Sequence, residues 1–100
     1  MIRPALLTRA AERDIDEART WYRHRGGSPL ADVFLDAVRT TIDRLECFPD
    51  ANALVHRRTR RAFVPRFPYA LFYAPRADRI HVLRCFHTSR DLTRWLGTLE

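Results

Sequence analysis

The feature that most constrains this chain is a change of apolar period at Pro49-Asp50. Before it the apolar residues repeat as on a helix; after it they come in short β-branched and aromatic runs. Ala11, Ile15, Ala18 and Tyr22 fall on one helical stripe, and Trp21 widens it, so the spacing predicts a helix from Arg9 to Arg25. Thr8 is placed to cap its first turn. Glu12, Asp14, Asp16 and Glu17 crowd its first half and arginines its second, as the helix dipole favours. Gly26-Gly27 ends it, and Ser28-Pro29 starts another, serine as cap and proline at the first helical position. Phe34, Ala37 or Val38, Thr41, Leu45 and Phe48 continue one face to Pro49. Two helices joined by a short glycine turn form an antiparallel hairpin.

Beyond Asp50, residues 60–64, 67–74 and 79–87 read as strands, and Pro75-Arg76-Ala77-Asp78 as the loop of a β-hairpin. Strict alternation would put Ile80, Val82, Arg84 and Phe86 on one face and His81, Leu83, Cys85 and His87 on the other. Pro4 to Leu7 reads as an opening strand. Asp91 is placed to cap a last short helix from Leu92 carrying Trp95, Leu96 and Leu99. The two tryptophans and the phenylalanines are assigned to the core. The expected order is β-α-α-β-β-β-α: an α+β fold, one domain over residues 1–100, with a helical hairpin on a small, mostly antiparallel sheet.

Charge is unevenly spread. Residues 1–50 hold eight arginines and nine acids; residues 51–100 hold ten arginines and three acids; the whole chain carries +6. Such asymmetry points to an anionic partner for the second half. Every cation is arginine, because the chain has no lysine. Cys47 and Cys85 lack metal-ligand spacing and read as two reduced, mostly buried thiols. No cofactor or metal is expected. No apolar run approaches the ~20 residues of a membrane helix, and Met1 to Pro4 leads into no signal-peptide core, so a cytoplasmic protein is expected.

The stretch RRTRRAFVPRFPYALFY, residues 57–73, packs five arginines onto a strand region. Arg57, Arg58, Arg60 and Arg61 have two readings: a solvated edge that discourages strand pairing, or a binding patch. Tyr69 and Tyr73 share a strand face and read as rim aromatics. His87 suits hydrogen bonding at a strand end better than catalysis.

In order along the chain, AERDIDEARTWY, PLADVFLDAVRTTIDRLECFP, RRAFVPRFPYALFY and RIHVLRCFHTSRDLTRW resemble the RelE/ParE toxin superfamily, and more closely its ParE branch of plasmid-stabilisation toxins. The resemblance spans about residues 5–95. It implies the toxin of a type II toxin–antitoxin system. ParE-like members are described as gyrase inhibitors without nuclease activity; RelE-like members are described as ribosome-dependent mRNA endonucleases.

Three readings follow from the resemblance. The leading one is a ParE-like toxin that inhibits DNA gyrase by binding, and a cognate antitoxin that neutralises it through a C-terminal segment seated in a groove. Target and partner would then be met by Arg57, Arg58, Arg60, Arg61, Arg66, Tyr69, Tyr73, Arg84, His87, Arg90 and Trp95, with no catalytic residue. The second is a RelE-like endoribonuclease acting on ribosome-bound mRNA, its chemistry carried by Arg66, Arg84 and His87. Against it stand Tyr69, where RelE-like chains place an arginine, Leu92 to Trp95, where they place a late tyrosine, and the missing lysine. The third is a non-toxic antitoxin-binding co-repressor.

Overall fold

The computed structural model describes residues 2–99. The chain forms β1 (Ala5–Leu7), α1 (Arg9–Cys47), β2 (Leu54–His56), β3 (Thr59–Phe63), β4 (Tyr69–Pro75), β5 (Ile80–His87) and α2 (Thr93–Leu96). The sheet order is β1-β5-β4-β3-β2. β2 to β5 form an antiparallel meander, and β1 lies parallel to β5 with Ala5 opposite Ile80.

α1 is two helical arms joined at Gly27, whose φ of 74° and ψ of −173° break the helical path. That combination belongs almost wholly to glycine. Residues 22 and 34 of an unbroken helix would lie about 18 Å apart, yet the Tyr22 and Phe34 rings are 5.1 Å apart. The arms therefore fold back on each other as the expected hairpin. Gly26 is also constrained, because a Cβ there would stand 2.7 Å from Leu30 Cδ2. At the start of α1, Thr8 Oγ1 accepts from Ala11 N–H and donates to Leu83 O, tying the cap to β5.

The helical stripes hold. Ala11, Ile15, Ala18 and Tyr22 from the first arm, and Phe34, Ala37, Val38, Thr41 and Leu45 from the second, are all buried. Phe48 departs from the expected face. It is the C-cap, with φ −134° and ψ 66°, and its ring is 67 % exposed because the helical phase ends there. Trp21 is also not core: it stands 48 % exposed, with the Arg25 guanidinium over its ring.

The strands differ from expectation in three ways. Leu54–His56 adds an edge strand, so His56 lies in a strand rather than a loop. The three expected strands move by one or two residues. Alternation along β5 is broken by a bulge: Tyr73 pairs with Val82 while the adjacent Phe72 pairs with Arg84, leaving Leu83 extra. An extra residue swaps the faces of everything after it. Ile80, Val82 and Cys85 thus face the helices, and Phe86 joins Ala70 and Phe72 on the opposite face. There Leu92, Trp95 and Val55 cover it. α2 starts one residue later than expected. Leu92 holds the cap position, while Asp91 still accepts from Thr93 N–H at 3.0 Å, and Leu99 lies past the helix end.

Candidate functional site

The R-F-P-Y segment explains how the sheet and the hairpin meet. Arg66 sits in the turn between β3 and β4 with φ 68°. The turn presents Phe67 and Tyr69 to the helical arms, where the Phe67 ring lies 5.0 Å from Tyr22 and 5.2 Å from Phe34. Tyr69 packs on Phe34 and, at 5.2 Å, on the His87 imidazole. Edge-to-face geometry of this kind adds to the burial of the rings themselves.

Beside this cluster opens a cleft of about 240 Å³, lined by Asp14, Glu17, Ala18, Trp21, Tyr69, Cys85, Phe86, His87 and Arg90. Arg84 forms a two-pronged pair with Asp14, Nε to Oδ2 at 2.7 Å and Nη2 to Oδ1 at 2.9 Å, and Cys85 N–H donates to the same Oδ2. These hydrogen bonds push the Arg84 guanidinium above its ordinary pKa, against the effect of burial. Burial, helped by Asp14, raises the Cys85 thiol to about 12. A thiol held so far from ionisation is a poor nucleophile at neutral pH. His87 Nδ1 is taken up by the Ser89 backbone N–H at 3.1 Å and lies 2.8 Å from Ser89 Oγ. Burial raises the Tyr69 phenol.

The arginine stretch is divided by the pleat of β3. Arg60 lies opposite Tyr73 on the helix side, and Arg61 opposite Phe72 on the other. Arg60 Nη1 donates to Asn52 O at 2.6 Å and to Asp50 O at 3.2 Å, tying down the loop that leads to β2. Arg61 stacks over the exposed Phe63 ring at 4.7 Å, and its Nε is buried with no hydrogen-bond partner. Arg57 and Arg58 project from the β2–β3 turn beside Leu54 and Pro75. On the outer face Arg84 and Arg90 both lie over the Phe86 ring, at 4.4 and 4.2 Å, and Trp95 packs edge-on at 5.1 Å.

Tyr73 is not a rim residue. It is 0 % exposed, its hydroxyl donating to Pro49 O and accepting from Asn52 Nδ2. The expected site residues thus fall into separate groups. Tyr69, His87 and Arg90 share the cleft. Arg61, Arg84 and Trp95 lie on the outer face, Arg84 and Trp95 against Phe86 and Arg61 against Phe63. Arg57 and Arg58 lie at the far end of the sheet, and Tyr73 and Arg60 serve the fold. Sequence reasoning missed Asp14 and Glu17 as cleft residues. Their position on the same helical face as Ala18 and Trp21 was the available signal. A second, more apolar crevice of about 400 Å³ runs between the helical arms, lined by Leu7, Glu12, Ile15, Asp16, Leu35, Val38, Arg39 and Ile42.

The model of the family described as ParE toxin of type II toxin-antitoxin system, parDE, matches residues 5–92. The chain belongs to this family. No curated protein matches it. Among solved structures, that described as "Chromosomal ParDE TA system from P. aeruginosa" is similar, with a TM-score of 0.66 and 18 % identity over 86 % of this chain and 96 % of that one. At that identity the likeness concerns the fold. The match leaves out all of α2, so Trp95 and its neighbours lie beyond the family segment.

Proposed function

We propose that this ParE-family chain acts as a toxin that inhibits DNA gyrase by binding, and that a cognate antitoxin neutralises it. The observation that carries the binding reading is the Arg84–Asp14 pair. Cleavage of RNA by its own 2′-hydroxyl needs a base, an acid and unengaged cations around the phosphate. Here Arg84, one of the two arginines stacked over Phe86 beside the cleft, is already bound in two-pronged fashion by a carboxylate, and Glu17 adds a second acid to the cleft that His87 and Arg90 line. With Arg84 taken up by Asp14, Glu17 stands against the charge that Arg90 would offer a phosphate.

The crevice between the helical arms supports the antitoxin half of the reading. Its floor is Leu7, Ile15, Leu35, Val38 and Ile42, and charged residues stand at its rim. That chemistry suits one face of an amphipathic helix. The neutralising segment would fold as it binds, so the complex gains stability by mass action. The test is co-expression with the adjacent reading frame. Growth arrest by this chain alone, relieved by the partner and accompanied by a clear rise in Tm of the complex, supports the reading. A folded chain whose Tm is unmoved at saturating partner contradicts it.

A further inference from the structure

The topology gathers arginines that are scattered in sequence at one end of the sheet. β1 and β5 begin there, β4 ends there, and the β2–β3 turn lies beside them. Arg3 Nη1 donates to Arg76 O at 3.0 Å, and Arg76 N–H to Arg79 O at 2.7 Å, closing the β4–β5 loop. Arg57, Arg58 and Arg60 line a cleft of about 240 Å³ together with Pro75, the residue before that loop. Six arginines therefore meet three carboxylates. Asp50 is engaged with Arg60 at 3.8 Å, Asp78 lies 3.9 Å from Arg79, and Glu46 accepts from Ala5 N–H. Arg57, Arg58 and Arg79 are exposed, and His56, the last residue of β2, and His81, near the start of β5, stand close by in sequence.

We propose that this end of the sheet binds the phosphate backbone of duplex DNA. Five strands at about 4.8 Å spacing make a basic row about 19 Å wide, which covers about six phosphates' worth of rise along one DNA strand. Arginine presents a planar fork to each phosphate. Single-stranded nucleic acid is held instead by successive stacking rings; this end offers one exposed ring, Phe48 on the α1 cap. A protein partner would be anchored by aromatic or aliphatic pockets; here Leu54 and Pro75 are the apolar residues of the cleft, set among three arginines and Asp50. Interfaces to DNA are the more polar and more positive class. The surface is separate from the crevice between the helical arms, so the inference stands whether or not gyrase is the target.

The test is fluorescence anisotropy of the full chain with a labelled 20-base-pair duplex of arbitrary sequence across ~50–300 mM salt. Binding should weaken linearly on a log–log plot with a slope of about −3 to −5. Arg58→Gln with Arg79→Gln should lower that slope by about 2 and weaken binding at least about tenfold near 0.1 M salt. Arg13→Gln with Arg23→Gln, which removes equal charge from the first helical arm, should change binding less than about twofold. Circular dichroism checks both variants, and single Arg58→Gln serves should the double variant fail to fold. Absence of duplex binding at 50 mM salt, equal loss in both double variants, or tighter binding to single-stranded RNA or polyglutamate would each overturn the proposal.

Discussion

The two faces of the sheet are built on different terms. On the helix side, both arms of α1 close over Leu71, Tyr73, Ile80, Val82 and Cys85, and the core runs unbroken from Ala11 to Leu45. On the other side only Ala70, Phe72 and Phe86 are buried, and their cover is a four-residue helix, Val55 and the stems of arginines. Arginine over an aromatic ring completes a small apolar surface while keeping charge at the solvent. The first face has traded exposure for stability. The second keeps cations and partly covered rings where a large partner could reach them.

If that contrast is real, truncations on the two faces should cost unequal amounts. Phe34 is fully buried and touches Tyr22, Phe67 and Tyr69. Phe34→Ala should cost about 3–5 kcal/mol by cavity formation, a large share of the about 5–15 kcal/mol that holds a typical domain folded. Trp95→Ala, on the outer face, should cost no more than about 2 kcal/mol, since its ring is only partly covered. Urea titration of both variants gives the comparison, and equal losses would erase the distinction.

Asp14 joins the two faces, since it holds both the Arg84 guanidinium and the Cys85 N–H. Its side chain is 10 % exposed and that of Arg84 is 25 % exposed. Asp14→Ala strands a charge and an amide, and should cost about 2–3 kcal/mol after discounting the open side of Arg84. Arg84→Met paired with Asp14→Leu should recover much of that loss, because replacing both partners leaves no stranded charge.

Cys85 sharpens the contrast through pH. Its folded-state pKa near 12 lies above its ordinary value near 9, and burial raises Tyr22, Tyr69 and Tyr73 in the same direction. The folded chain then holds more protons than the unfolded chain above about pH 9, so stability should fall as pH rises from about 9 towards 12. At pH 8 a thiol reagent should label the exposed Cys47 and leave Cys85 unmodified until the chain unfolds. Two thiols reacting at one rate would show that the helix-side core is open.

Much of the helical half was legible because burial there follows one unbroken period. Every apolar residue from Ala11 to Leu45 placed on the two stripes is buried, with Trp21 on the margin left half in solvent. The β half was legible in content but not in facing. The bulge at Leu83 reverses the second half of β5, and no residue type announces it. That reversal put Phe86 opposite its expected face and brought Cys85 and His87 beside Asp14 and Glu17. The short β2 hid in a loop-like sequence because three residues are too few to show alternation. Arg60 and Arg61 looked like one patch in sequence, whereas a pleat separates them by construction.

The central claim is that the cleft around His87 binds and does not cleave. Purified toxin should be added in parallel to DNA gyrase with relaxed plasmid and to a translation extract with labelled mRNA. Wild type and His87→Gln should block supercoiling within a few-fold of each other and leave ribosome-bound mRNA intact. Cleavage at fixed codon positions, lost in His87→Gln while gyrase stays active with either protein, would contradict it.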